Sequence, residues 1–298
     1  MSTSAGAAVK PDRCDLLFQE GDIMLNASDF FDLRTVSFAA IFENTDYVWE
    51  ALKNIEPFLQ DTLQPNTGAV RNGKEMVDTT TVIYDGRAIR DGFHIDLTGK
   101  KLRVEKDGAV LQGASIIYAG AFLMDDSIYI GRGTVVEPGA LIKGPAFIGD
   151  NTEIRQGAYI RGRVIVGDSC VVGHATEMKS SLMLGESKAG HFAYIGNSIL
   201  GRVNLGAGTK LANLKMTDTP VVLNVDGKTY ETGLRKFGAV LADGVETGCN
   251  SVTSPGTLLG KGCLLYPNGT ARGYYFPETI IKIRQTQRLI DLSRRSGR

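Results

Sequence analysis

The stretch Ile130-Gly131-Arg132-Gly133-Thr134-Val135-Val136-Glu137-Pro138-Gly139-Ala140-Leu141-Ile142-Lys143-Gly144-Pro145-Ala146-Phe147-Ile148 decides how the chain folds. Aliphatic residues stand at 130, 136, 142 and 148, and the series runs on through Ile154, Ile160, Val166, Val172, Met178 and Leu184. If about a quarter of positions were aliphatic, ten in succession at one spacing would arise by chance roughly once in a million. Four residues after each aliphatic comes a second register of small or β-branched side chains: Thr134, Ala140, Ala146, Thr152, Ala158, Val164, Cys170 and Thr176. Gly131, Gly149, Gly167, Gly173 and Gly185 follow five of the aliphatics directly, where a tight bend leaves no room for a side chain. A spacing of six cannot stay on one face of a helix with 3.6 residues per turn, so an amphipathic helix is excluded. A large inward side chain followed by a small one at a corner suits a narrow solenoid, in which three hexads close one triangular coil of short parallel strands.

Outward from this stretch the pattern changes. After Leu184 the phase slips before Leu205, holds to Leu211, dissolves between 212 and 236, and resumes at Leu241, Thr247, Thr253, Leu259 and Leu265. The interruption contains Asp226-Gly227 between the alternating runs 221–225 and 228–230, which predicts a hairpin excursion from one edge of the coil. Pro277 before Glu278 predicts the start of a carboxyl-terminal helix carrying Ile280, Ile283 and Ile290 and the basic residues Lys282, Arg284, Arg288, Arg294, Arg295 and Arg298. Residues 11 to about 105 lack the period. There Asp46 is expected to cap a helix presenting Trp49, Leu52 and Ile55 and ended by Pro57, and hairpins are expected around Asp85-Gly86 and Asp107-Gly108. The expected organisation is a disordered terminus over 1–10, a small α+β region over 11–112, a β-helix over 113–272 with its excursion at 212–236, and a helix and basic tail over 273–298. The excursion and the carboxyl-terminal helix are expected to flank a ligand cleft, because a flat-faced prism offers no concavity of its own.

Composition narrows the class of function. The chain has 298 residues, 33 Lys+Arg against 33 Asp+Glu, and 43% hydrophobic residues, as ordinary globular proteins do. Without a basic excess it is not expected to bind nucleic acid, whose affinity comes largely from phosphate neutralisation. No apolar run approaches the roughly 18 residues of a membrane span, and residues 1–10 lack the apolar segment of a secretory signal, so a cytoplasmic location without membrane contact is expected. Cys14, Cys170, Cys249 and Cys263 are widely scattered, which predicts buried reduced thiols and neither a disulfide framework nor a zinc knuckle.

There are three histidines, His94, His174 and His191, and His191 lies at the phase slip, where an outward position becomes available. An imidazole there suits proton acceptance from a nucleophile near neutral pH. Three segments around it carry a resemblance: Thr176-Glu177-Met178-Lys179, then Ser187-Lys188-Ala189-Gly190-His191 with Tyr194, then Val203-Asn204-Leu205-Gly206-Ala207-Gly208-Thr209. In order and interval they resemble the acetyltransferase half of the bacterial bifunctional N-acetylglucosamine-1-phosphate uridyltransferase and glucosamine-1-phosphate acetyltransferase family, within the hexapeptide-repeat superfamily. The resemblance implies a mainly β fold, a left-handed parallel β-helix that assembles as a homotrimer, with acetyl-CoA as acyl donor and a sugar phosphate or nucleotide sugar as acceptor. It gives His191 the role of general base. Arg161 and Lys179 would hold the phosphate, Tyr194, Asn204 and Asn213 would shape the sugar site, and the Ala207 backbone would meet the thioester. A metal is not required by this chemistry, and structurally bound Mg²⁺ is not predicted.

Two departures stand out. Where the family has Asn-Tyr-Asp-Gly, this chain reads Asn213-Leu214-Lys215-Met216 without the tyrosine. The hundred residues before the repeat are too few for the nucleotidyltransferase half and carry no glycine-rich triphosphate loop, so uridyl transfer is not expected. Two other readings stay open. One is a non-catalytic trimeric module that binds sugar nucleotides or partner proteins. The other is a metal hydratase similar to the γ-class carbonic anhydrases, since His174 and His191 are nearly one coil apart.

Overall fold

In a computed structural model the structure describes residues 25–96, 102–284 and 289. The six-residue repeat builds a parallel β-helix with three flat faces. Eleven strands make the first face. The hairpin Thr81–Tyr84 and Arg87–Ile89 lies antiparallel on the first of nine parallel rungs, which run from Ser115–Ile117 to Ile280–Ile281. The second face runs from Phe122–Leu123 to Thr270–Ala271 and the third from Ile128–Ile130 to Tyr274–Tyr275, with eight strands each. Successive rungs lie about 4.8 Å apart, as neighbouring strands must.

Both inward registers read from the sequence form the core. Val136, Ile142, Ile148, Ile154, Ile160, Val166, Val172 and Met178 are wholly buried, and so are the corner residues Thr134, Ala140, Ala146, Thr152 and Thr176. Threonine suits these inner corners because its hydroxyl satisfies a carbonyl of the next turn: Thr134 Oγ1 donates to the Gly149 oxygen at 2.7 Å and Thr152 Oγ1 to the Gly167 oxygen at 2.9 Å. The stacked glycines have a similar logic, since a Cβ on Gly149 would lie 2.6 Å from the Gly167 carbonyl carbon. The tenth aliphatic is corrected by one position. Met183, not Leu184, continues the stack opposite Val166, because the corner at Ser180 turns with one residue fewer than the Gly162-Arg163 corner below it. Coils therefore shorten from 18 residues (Glu153 to Val171) to 17 (Val171 to Lys188) and 16 (Lys188 to Asn204).

A third apolar column points outward on the third face: Tyr129, Phe147, Ile165, Leu182, Ile199, Val240 and Leu258. Ile165, Leu182, Ile199, Val240 and Leu258 are nevertheless buried, because the amino-terminal region lies over them. Phe38 meets Phe147 edge-on at 6.3 Å, and the helix Ala51–Thr62 packs on Ser181–Met183. Asn66 clamps the edge of the coil, accepting from the Ile130 N–H at 2.9 Å and donating to its carbonyl at 2.8 Å. The helix differs in detail from expectation. Glu50, not Asp46, precedes it, and the Glu50 carboxylate accepts from the Asp46 and Tyr47 N–H groups. Pro57 lies within it, tolerated because Ala51, Ile55 and Leu59 anchor a buried face on both sides of the missing N–H.

Two further expectations are corrected. The hairpin Val222–Val225 with Lys228–Glu231 forms around Asp226-Gly227, but Val221, Leu223 and Val225 are buried and Tyr230 packs edge-on against Tyr47 and Trp49. The hairpin is thus part of the clamp over the third face, and its removal would expose core. The helix expected from Pro277 does not form through residue 284. Glu278 turns the corner at φ +58°, Ile280–Ile281 pairs with Leu264–Leu265, and a rung that extends the ladder satisfies backbone groups a helix would take from it. The coil so reaches Ile281, nine residues past its expected end, while residues 1–10, 285–288 and 290–298 lie outside the described residues.

Of the three described cysteines Cys170 and Cys263 are buried and Cys249 is exposed, which corrects the expectation of uniformly buried thiols. Burial pushes the Cys170 thiol up to about 12 and raises Cys263 in the same sense, so neither forms the reactive thiolate. A maleimide at pH 8 is expected to label Cys249 in the native protein and Cys170 only after unfolding. Mass-mapped labelling of both at one rate would contradict this.

Candidate functional site

Four of the residues singled out above come together on the second face. Arg161 ends the rung Tyr159–Arg161, Lys179 ends the next, Glu177–Lys179, and Tyr194 begins the one after, Tyr194–Gly196. Arg161 donates to Glu177 Oε1 at 2.6 Å, a bond that raises its own pKa. Tyr194 donates to Asn213 Oδ1 at 3.3 Å, and Asn213 Nδ2 donates to Asn197 Oδ1 at 2.7 Å. Gly196 leaves the space this chain of bonds occupies, since a Cβ there would lie 2.6 Å from the Tyr194 hydroxyl. Burial holds the Tyr194 phenol above its ordinary value, with Glu177 adding to it, so it stays a donor. Burial also lowers the Lys179 pKa, and after it the nearby cations Lys236, Arg161 and Arg163, with Glu177 opposing. This face is positively charged beyond what its one glutamate offsets.

His191 and Ala207 occupy adjacent rungs of the corner between the first and second faces, joined by a 3.0 Å bond from the Gly208 N–H to the His191 carbonyl. His191 is exposed there, and its register partner one rung below is His174. His174 Nδ1 lies 2.8 Å from the Gln156 carbonyl, which only accepts, so Nδ1 donates to it. Phe192, 55% exposed, packs edge-on against His174 at 5.4 Å and tilts against His191 at 6.2 Å. Asn204 does not join this group. It lies around the corner on the first face, lining a groove of about 310 Å³ with Lys188, Arg202 and Glu246. His94 stands on the separate three-stranded sheet Phe93–Asp96, Arg103–Lys106 and Ala109–Val110, so it cannot complete a histidine triad with His174 and His191 in one chain. Among the described residues no three His, Cys, Asp or Glu side chains gather as a metal site.

The turns that carry these residues lie within a match to a known family. Residues 142–259 match the GMPPB C-terminal domain. Curated relatives include the bifunctional sugar-1-phosphate nucleotidylyltransferase/acetyltransferase of Sulfurisphaera tokodaii, 42% identical over 82 residues, which are 27% of this chain and 20% of that protein. The bifunctional protein GlmU of Methanococcus vannielii is 41% identical over 83 residues, 28% of this chain and 20% of its own, and that of Methanocaldococcus jannaschii 38% over 78 residues, 26% and 19%. The resemblance read from the motifs is thereby shown. The chain spans about a fifth of the length of these relatives. No helix among the described residues is long and apolar enough to cross a membrane.

Sequence reading missed Lys143, Arg163, Lys236, Asn197 and the pairing of Glu177 with Arg161. One signal was available. Lys143, Arg161 and Lys179 stand 18 residues apart, the length of one regular coil, so they had to stack.

Proposed function

We propose that this protein transfers an acetyl group from acetyl-CoA to an amine or hydroxyl of a sugar phosphate or nucleotide sugar, as a cytoplasmic homotrimer. The observation that carries the reading is the order of groups across the second face: the cations Arg161 and Lys179 at the ends of their rungs, the Tyr194–Asn213 pair spanning the face, then the exposed His191, with Ala207 on the next rung, at the corner shared with the first face. Arg161 and Lys179 hold the phosphate by charge-assisted hydrogen bonds. Tyr194 and Asn213 fix the sugar by directional bonds. His191 takes the proton of the attacking group as its bond to the acetyl carbon forms, and the carbon–sulfur bond breaks to release the CoA thiol. Acetyl-CoA supplies the thioester carbonyl, and the backbone at Ala207 faces it.

A second copy completes the site. His191 and Phe192 project from a convex corner, which cannot enclose a ligand, and Asn204 lies on the first face. The amino-terminal region covers the third face, so two copies meet through the first face of one and the second face of the other, and Asn204 enters its neighbour's site. Thiol release on a panel of amino-sugar phosphates and nucleotide amino sugars tests the chemistry, and sedimentation at micromolar concentration tests the assembly. Mixed trimers of His191→Ala and Asn204→Ala should recover activity that neither variant has alone. A monomer, or no thiol release on any acceptor, overturns the reading; sugar-nucleotide binding without thiol release would favour the non-catalytic module.

A further inference from the structure

Resting on the reading above, we infer that the acceptor carries a diphosphate, as a nucleoside-diphosphate sugar does, and that Lys143 holds its second phosphate. Lys143 pairs in register with Arg161, and Arg161 stands one rung from Lys179, so three cations stack on consecutive rungs of the second face. Tyr159 lies beneath two of them, with Lys143 Nζ and the Arg161 guanidinium each 5.6 Å from its ring centre. Among the described residues Arg161 is paired with Glu177 and Arg163 with Glu56, while neither Lys143 nor Lys179 has an ion-pair partner. Like charges on directly opposed positions of paired strands repel. In a chain of zero net charge, such a column is relieved by an anion that spans it.

The order along the coil axis fixes which anion. Tyr194 marks the sugar, one rung from Lys179, and a single phosphate there is shared by Lys179 and Arg161. It leaves Lys143 a further rung away. A second phosphate joined through one bridging oxygen, leading away from His191, reaches the gap between Arg161 and Lys143. A sugar monophosphate leaves that gap unfilled.

The test compares wild type, Lys143→Met, which keeps the apolar stem over Tyr159, and Lys143→Arg, with melting temperature as the check on folding. Inorganic pyrophosphate and orthophosphate are titrated calorimetrically into the full chain at 0.15 M salt. Wild type is expected to bind pyrophosphate at least about tenfold more tightly than orthophosphate; Lys143→Met should remove most of that difference while changing orthophosphate affinity by less than about twofold, and Lys143→Arg should restore it. KM values for an amino sugar 1-phosphate and for the matching nucleoside-diphosphate amino sugar should follow the same pattern. Equal weakening of both anions by Lys143→Met, or of neither, overturns the inference. Acetylation of both acceptors with equal KM, indifferent to Lys143, would sink the subsite and leave acetyl transfer standing. A Lys143-dependent preference for pyrophosphate without any thiol release would do the reverse.

Discussion

Replacing His191 by alanine is expected to lower turnover by about 10²- to 10⁴-fold while leaving KM for acetyl-CoA nearly unchanged. The asymmetry follows from position. The imidazole stands exposed at the end of its rung, one rung from Ala207, where the proposed reaction places the acceptor's proton, and it is no part of the cation column proposed to hold the acceptor's phosphate. Acceptor binding should therefore also survive, measured as orthophosphate or pyrophosphate affinity. His174→Asn is the informative companion. It removes a ring one rung below whose Nδ1 proton is already committed to Gln156, so it should cost far less than the His191 change. If thiol release by His191→Ala equals that of wild type, the base lies elsewhere; if His174→Asn is the more damaging variant, the two imidazoles have been assigned in the wrong order.

The second large effect concerns stability. Gly173 and Gly190 precede the two histidines on adjacent rungs and look equivalent in the sequence. A Cβ on Gly173 would overlap the Gly190 backbone carbonyl, whereas a Cβ on Gly190 meets nothing within 4 Å. Gly173→Ala forces two backbone rungs apart, and neither can yield as a flexible side chain would. A loss of about 3 kcal/mol or more is expected, roughly 6–12 °C in melting temperature, while Gly190→Ala should stay within about 0.5 kcal/mol. Equal melting curves for the two variants would mean that the rungs are not stacked as described. Because Gly173 sits beside His174 and beneath the strand that ends in His191, the damaging variant should also lose activity in proportion to its misfolding.

The coil was legible because six-residue periodicity is strictly local: each inward position is decided by its own hexad. What lay beyond the hexad was harder to read. The missing corner residue at Ser180 moved the stack from Leu184 to Met183, and with the slip hidden the outward column from Tyr129 through Leu182 to Leu258 did not show as a column. Ile280 and Ile283 fit helical spacing as well as a rung, and only pairing with Leu264–Leu265 decides between them. The hairpin at 222–231 was visible from Asp226-Gly227, but its partners Tyr47 and Trp49 lie some 180 residues earlier in the chain. For the site, motif order singled out Lys179 and Tyr194, which share the second face, and His191, which stands at the corner beside them. It gave no sign that Asn204, in register with Lys188 at the start of His191's own strand, lies on the first face while Lys179 and Tyr194 lie on the second.

The column beneath the amino-terminal region bears on how the protein comes apart. In a simple solenoid each turn touches only its neighbours, so the ends fray and interior turns hold independently. Here one segment is laid lengthwise across the turns: the Ser28 carbonyl accepts from Lys261 at 3.0 Å, the Asp32 N–H donates to Asp243 at 2.7 Å, and Asn66 closes on Ile130. Turns that are distant in sequence are thereby latched to a common strip, and losing any of them loosens the strip over the rest. Unfolding by denaturant should accordingly be a single sharp transition with uniform hydrogen-exchange protection along the coil, and cutting the chain between the strip and the first rung should turn it into a gradual peeling from the Ile281 end.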